Sequence, residues 1–323
     1  MSQEVTGPSL LRVAILAGGT SSEREVSLES GHNVAQALRE RGHDVTLLDP
    51  GKARQESIPH RTEIILPMLH GTGAEDGVLQ EQLDKTGIPW VGSSAEASRL
   101  TFNKIATRTT WQAAGILVPP GVALNRLSST ALIHEAARCV GYPLVVKPAE
   151  QGSSVGITIV QSSEGLENAV NTATQWGPRF LIEQFIVGRE ITVPVINGEV
   201  FPAVEIVPSG AWYDYKAKYQ DESTQYKIAP DGLPSNLNSL VQRACQVCGV
   251  TAISRTDLRI DDSGQCWFLE INTIPGMTSH SLVPMSAQSW GISLGELCEQ
   301  VLLHRLGRVT TRTWANSKQL RVA

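Results

Sequence analysis

Short apolar runs of strand length alternate with helix-period stretches along the first part of this chain. Residues 12–17 form such a run, which ends in Gly18-Gly19-Thr20-Ser21-Ser22-Glu23. Apolar residues then recur at helical spacing through Arg41 and stop at Gly42. Residues 44–48 and 63–69 read as further strands, and a helical stretch covers 94–114. This order of strand, loop, helix and strand predicts a doubly wound α/β opening. Farther along, residues 144–148, 157–160, 180–186 and 188–192 read as strands, with a kink between the last two, and 240–249 as a helix. No internal repeat is present.

The clearest two-residue alternation comes late. Residues 254–260 and 266–272 are β-type runs on either side of Asp261-Asp262-Ser263-Gly264, which predicts a hairpin. A two-residue turn sets Asp257 opposite Glu270 and Arg255 opposite Asn272, whereas a four-residue loop sets Asp257 opposite Phe268. In either register Arg255, Asp257, Phe268, Glu270 and Asn272 share one face. Thr256, Leu258, Ile260, Trp267, Leu269 and Ile271 take the other, largely apolar face. Two carboxylates and an amide within about 5–8 Å on neighbouring strands are the hard oxygen donors that Mg²⁺ takes. Arg255 beside them suits an anion. Ordinary cross-strand charge pairs on an exposed sheet would produce the same pattern. The following segment, Thr273, Pro275-Gly276 and Thr278-Ser279-His280-Ser281, brings bare backbone N–H groups and hydroxyls near that face.

Composition narrows the class. A chain of 323 residues predicts two or three domains, and 18% charged with 41% hydrophobic residues describes an ordinary globular protein. The net charge of −5 argues against nucleic-acid and anionic-membrane partners. Residues 1–10 have neither a basic start nor an apolar core, and no apolar run approaches ~18 residues, so the expectation is a cytoplasmic protein. Cys245-Gln246-Val247-Cys248 invites a zinc or redox reading. No second metal-binding pair completes it, and its helical setting favours buried thiols.

Several loops are candidate ligand sites. Glu23 sits where a strand hands over to a helix, the ligand end of such folds, although a first-turn acid there is also favoured by the helix dipole. His70-Gly71-Thr72-Gly73-Ala74-Glu75-Asp76-Gly77 ends another strand. His70 could touch substrate or only hold the turn, and Glu75 and Asp76 could be helix N-terminal acids. Lys104, taken alone, reads as a solvated helix lysine. Residues 149–156, A-E-Q-G-S-S-V-G between two strands, can cradle phosphates, and no G-K-[ST] opens a helix there, which excludes Walker A. Residues 211–226 lack periodicity and suggest a lid or Ω-loop carrying Lys218 and Tyr219, or else a mobile surface loop that meets no ligand. The polar tail at 308–323 is expected to fray.

R-x-D and E-x-N on paired strands, followed by N-T-x-P-G-M-T-x-x-S, resemble the C-terminal signature of D-alanine:D-alanine ligases in the ATP-grasp superfamily. The 70–77 and 149–156 loops resemble the same family, with Ala74 at a usual glycine and Gln151 where many members have Glu. The resemblance implies a mixed α/β, three-domain ATP-grasp fold. Its parts would be a Rossmann-like N-terminal domain (1–102) binding the first D-alanine, a central domain (103–187), and a C-terminal domain (188–323) with the metal and substrate site. ATP would lie between the latter two. The implied reaction is ligation of two D-alanines through a D-alanyl phosphate, for peptidoglycan precursors, with two Mg²⁺ ions or Mn²⁺ in their place. By the same resemblance Asp257, Glu270 and Asn272 hold metal. Lys104, Lys147, Ser154, Glu183, Gln184, Ile186, Glu190, Lys218 and Phe268 hold ATP. Arg255 and the Gly276 N–H form an oxyanion hole, Glu23 takes the first ammonium, His70 touches substrate, and Ser281 takes the second carboxylate. Ser153 and Tyr219 join Glu23 in orienting the attacking amine. A cytoplasmic homodimer is implied by the family. A D-lactate or D-serine variant is the nearest alternative, and Tyr219 in K-A-K-Y disfavours the depsipeptide-forming one. A silent nucleotide-binding scaffold would lack a metal carboxylate, and none is missing.

Overall fold

The computed structural model describes residues 10–52, 57–208 and 223–308. Its strands are β1 (Arg12–Leu16), β2 (Asp44–Leu48), β3 (Ile64–Pro67), β4 (Gly121–Asn125), β5 (Leu144–Pro148), β6 (Thr158–Val160), β7 (Arg179–Gln184), β8 (Arg189–Ile196), β9 (Glu199–Val200), β10 (Val204–Val207), β11 (Gln225–Ile228), β12 (Ile253–Ile260) and β13 (Cys266–Asn272). The described helices are α1 (Arg24–Glu40), α2 (Val78–Thr86), α3 (Ala95–Phe102), α4 (Lys104–Ala113), α5 (Thr130–Val140), α6 (Leu166–Thr174), α7 (Leu237–Val247), α8 (Leu282–Ser289) and α9 (Leu294–Arg305). They fall into two compact units, one drawn from 1–70, 81–92 and 274–323, the other from 71–80 and 93–273.

The first unit holds a parallel sheet in the order β2-β1-β3. Its strands are apolar nearly throughout because parallel sheets are covered on both faces, and Val13, Ile15, Ile64, Ile65 and Leu66 are almost fully buried. Helix α1 turns Val34, Ala35 and Leu38 inward. Against it lies α9, opened by a reciprocal Ser293–Glu296 capping box. The contact between them carries charge: Glu299 accepts from Arg41 Nη2 at 2.5 Å and meets His43 Nε2 at 3.0 Å. His43 Nδ1 accepts from the Leu11 N–H at 3.1 Å, so Nε2 carries the proton toward Glu299.

Two antiparallel sheets make up the second unit. One runs β4-β7-β5-β6. Leu144, Val146, Phe180 and Ile182 from its strands pack with Ala136, Ala137, Ala169 and Ala173 of α5 and α6. Because side chains alternate along β5, Lys147 leaves the face opposite this core. The other sheet runs β11-β10-β8-β12-β13, with β9 beside β8. Ile191, Val193, Leu258, Ile260 and Phe268 build its core with Trp111 of α4 and Val241, Ala244 and Cys245 of α7. The Trp111 indole N–H donates to the Ala244 carbonyl at 3.2 Å, and its ring meets Phe268 edge-on at 5.6 Å.

Three sequence expectations change here. The 94–114 helix is two helices, α3 and α4, parted at Asn103, whose extended backbone and side-chain acceptor for the Ala106 N–H start a new helix. The aperiodic stretch at 211–226 ends earlier, since Gln225 and Tyr226 pair with Val207 and Ile206 in β11. Phe268 leaves the polar hairpin face: Asp257 pairs with Glu270 but Leu258 pairs with Phe268, so Leu269 is an extra residue in a β-bulge. Beyond the bulge the alternation inverts, which turns Phe268 into the core. The Cys245 and Cys248 thiols are buried and free, and burial pushes Cys248 up to about 12. Among the described residues no helix is long and apolar enough to cross a membrane.

Candidate active site

The hairpin of β12 and β13 supplies the first group. On the near side of the bulge Arg255 lies opposite Asn272 and Asp257 opposite Glu270. Asp257 accepts from Arg255 Nε and Nη2 at 2.9 and 2.8 Å and from the buried Thr192 hydroxyl of β8 at 2.6 Å. Thr192, absent from any motif, pairs with Asp257 across β8 and β12. Its hydroxyl fixes the carboxylate's orientation. The donors on this face are oxygens alone, chemistry that suits Mg²⁺ better than a soft metal. Among the described residues no cluster of three or more His, Cys, Asp and Glu forms a self-sufficient cage. Phosphate or water oxygens would therefore have to complete a cation's shell, and the two carboxylates with Asn272 fit that partial role.

Lys104 reaches the same face. As the first residue of α4 it is buried, not solvated, and its ammonium lies 3.2 Å from Glu270 Oε2 while donating to the Gln151 carbonyl. Its own N–H donates to the Ala149 carbonyl at 2.8 Å, so α4 is tied to the base of the 149–156 loop. Asn103 and Arg179 both hold Glu150 of that loop, each at 2.6 Å. Within it Ser153 and Ser154 have φ of 49° and 59°, a left-handed conformation uncommon outside glycine.

Lys147 meets Glu183 Oε2 at 2.5 Å. The pair is a diagonal neighbour across β5 and β7, where Val145 faces Glu183 and Lys147 faces Leu181. Beyond Gln184 the chain kinks through Phe185 and Ile186 into β8. Arg259 braces this kink: its guanidinium lies 4.9 Å from the Phe185 ring centroid, donates to the Gly188 carbonyl at 3.1 Å, and is 3.9 Å from Glu190. Burial lowers the Arg259 pKa, partly offset by Glu190. No sequence signal marks Arg259.

Glu23, His70, Gly276 and Ser281 belong to the other unit. Glu23 is buried at the N-cap position of α1, and its side chain makes no capping hydrogen bond there. The glycine loop before it is pinned by Asp49, whose carboxylate accepts from the Gly19 and Gly51 N–H groups at 3.0 and 2.9 Å and from Arg24 at 2.6 Å. The Arg24 hydrogen bond holds the Asp49 carboxyl down at about 2. Ser281 accepts from the Thr278 N–H at 2.9 Å, and a Cβ on Gly276 would come within 2.9 Å of its hydroxyl. From α1, Ser30 accepts the Met277 N–H at 3.0 Å. His70 is buried. Glu75 accepts from the Gly71 N–H at 2.7 Å and Asp76 from the Gly73 and Val78 N–H groups, which gives both acids structural work. Lys218 and Tyr219 lie outside the described residues.

Comparison with known proteins identifies the family. Residues 110–303 match the family described as D-ala D-ala ligase C-terminus. The chain is 42% identical over 298 residues to the D-alanine–D-alanine ligase of Actinobacillus succinogenes, covering 90% of this chain and 96% of that protein. It is 43% identical to D-alanine–D-alanine ligase B of Xanthomonas campestris, covering 90% and 93%. Among solved structures, the D-alanine–D-alanine ligase of Bacillus anthracis complexed with ATP superposes with a TM-score of 0.79 at 28% identity, covering 93% of this chain and 98% of that one. The VanG D-Ala:D-Ser ligase of Enterococcus faecalis gives 0.77 at 27% identity, covering 93% and 99%. With the hairpin signature, the sheet architecture and identity above 40% along nearly the whole length, the chain belongs to the D-alanine–D-alanine ligase family.

Proposed function

We propose that this chain joins two D-alanine molecules into D-alanyl-D-alanine, a peptidoglycan precursor, while ATP is converted to ADP and phosphate. The observation that carries this reading is the polar face of β12 and β13, where Asp257 faces Glu270, Arg255 faces Asn272, and Lys104 is drawn onto Glu270 at 3.2 Å. The carboxylate of the first D-alanine attacks the γ-phosphorus of ATP and ADP departs. The neutral amine of the second attacks the acyl carbon of the resulting D-alanyl phosphate. Collapse of the tetrahedral adduct expels phosphate.

Lys104, Lys147 and Lys218 set positive charge against the phosphates, and Ser154 with its loop backbone donates to them. Glu183, Gln184 and Ile186 border the adenine, and Glu190 holds the ribose. Asp257, Glu270 and Asn272 would hold Mg²⁺, which when bound neutralises phosphate oxygens and polarises the transferred group. Arg255 and the Gly276 N–H receive the charge that develops on the acyl oxygen. Glu23 takes the first ammonium, His70 contacts substrate, and Ser281 takes the second carboxylate. Ser153 and Tyr219 orient the attacking amine, which must first lose a proton. Dipeptide formation therefore improves as pH rises toward the amine pKa, and a hydroxy acid acceptor gains nothing comparable. Product masses across a pH series with D-alanine and D-lactate in competition test this. Dominant depsipeptide at neutral pH would overturn the acceptor assignment.

We further propose three domains, 1–102, 103–187 and 188–323, supported by three sheets whose strands each stay within one of these ranges. A cytoplasmic homodimer is the proposed working form. Sedimentation velocity showing only monomer at assay concentration would remove the dimer.

A further inference from the structure

Arg108 stands in no sequence motif, yet it shares a buried carboxylate with a candidate phosphate ligand. Glu183 receives Lys147 Nζ on one oxygen at 2.5 Å and Arg108 Nη1 on the other at 2.9 Å, and the three side chains are only 5%, 7% and 11% exposed. Arg108 is anchored apart from this pair, donating to the Pro119 carbonyl at 2.5 Å and the Gly121 carbonyl at 3.3 Å. The strand edge is cleared for the arrangement: a Cβ on Gly121 would come within 2.8 Å of Glu183 Cγ.

Two cations thus serve one carboxylate. A buried carboxylate stripped of its cation is strongly disfavoured, because attraction is large where water is scarce and desolvation has already been incurred. A phosphate-binding lysine whose only neighbour was Glu183 would be held there by that penalty. We propose that Arg108 is a positioning residue for ATP: it remains on Glu183 as resident counter-ion, so Lys147 can turn its ammonium to the phosphates without stranding a buried charge. Arginine suits this task because it stays protonated at any working pH and its planar fork can hold a carboxylate and carbonyls together. The surplus positive charge before binding is matched by the incoming anionic nucleotide. This inference rests on the reading of Lys147 as a phosphate contact.

The test is a double-mutant cycle on the full chain in Mg²⁺-containing buffer, reading KM for ATP, KM for D-alanine and kcat. Arg108→Met should raise KM for ATP about tenfold while KM for D-alanine stays near the parent's. In a Glu183→Gln background, where no charge remains to be stranded, the same substitution should change KM for ATP by no more than about twofold. An equal penalty in both backgrounds would mean that Arg108 acts only by holding the Pro119 and Gly121 carbonyls, and would overturn the proposal. If Arg108→Met does not fold, Arg108→Lys decides: retention of KM for ATP within about threefold is expected because a cation remains, and a tenfold rise in a folded Arg108→Lys chain counts against it. Lys147→Met separates the two readings. An unchanged KM for ATP there removes Lys147 from the phosphate site, whereas a raised KM with a background-independent Arg108 effect removes only the counter-ion role.

Discussion

Replacing Phe268 with alanine tests the bulge that separates the core of the hairpin from its polar face. The ring is 1% exposed and sits edge-on to Trp111 with centroids 5.6 Å apart. Emptying such a site costs about 3–5 kcal/mol, of which the aromatic pair accounts for roughly 0.5–1.5 kcal/mol. In a unit of this size each kcal/mol lowers the melting midpoint by about 2–4 °C, so Phe268→Ala should melt roughly 6–20 °C below the parent. Leu269→Ala, at the half-buried extra residue, removes less contact and should cost about 1 kcal/mol. Scanning calorimetry is the appropriate assay, since two units need not melt in one transition. Well below its midpoint Phe268→Ala should retain KM for ATP within about twofold. If the uninterrupted alternation were correct, the result would reverse. A Phe268→Ala chain that melts with the parent while its KM for ATP rises tenfold would refute the bulge and return the ring to the polar face.

Asp257→Asn and Glu270→Gln should leave the fold intact and lower Mg²⁺-dependent phosphate release from ATP by about a hundredfold or more, and near-parent turnover in both would sink the metal assignment. Asp49→Asn should melt below the parent at neutral pH, because its carboxyl is held at about 2 against an ordinary 3.8. A lowered folded pKa stabilises above the ordinary value and loses that stabilisation as pH falls through the folded one. The two melting curves should therefore converge between 3.8 and about 2, and a constant gap over that window would be inconsistent with the Arg24 pairing. Gly276→Ala pushes a methyl to 2.9 Å from the Ser281 hydroxyl and should raise KM for the second D-alanine about tenfold with little change in melting, to be checked by steady-state kinetics and calorimetry together.

Period alone determined a good deal about this protein. The parallel opening of β1, α1, β2 and β3 follows from apolar runs broken by Gly18-Gly19 and Gly42, since a short covered strand and an amphipathic helix have different repeats. That Asp257 and Glu270 share one face also follows from alternation, because only a one-residue slip could separate them, whereas their direct pairing was one of two registers and was decided by the structure. That argument failed at Phe268, where one slip does occur. A bulge adds a residue without changing composition or spacing, so nothing local distinguishes Phe268 from Leu269, and the choice falls to the Trp111 ring waiting on α4.

The charged residues divide in the same way. The serine loop could be singled out because strand and glycine signals are local, whereas Lys147 was marked only by the family resemblance. Lys104 read as a solvated lysine because its partners, Gln151 and Glu270, lie far along the chain, and only the packing of α4 supplies them. Thr192, Arg108 and Arg259 carried no signal at all. Their orientation of Asp257, Glu183 and the Phe185 kink comes from neighbouring strands and a helix meeting in space. Sequence period assigns side chains to faces of elements, but which charges share a low-dielectric interior is decided by tertiary packing, where distance rather than sequence separation sets the energy.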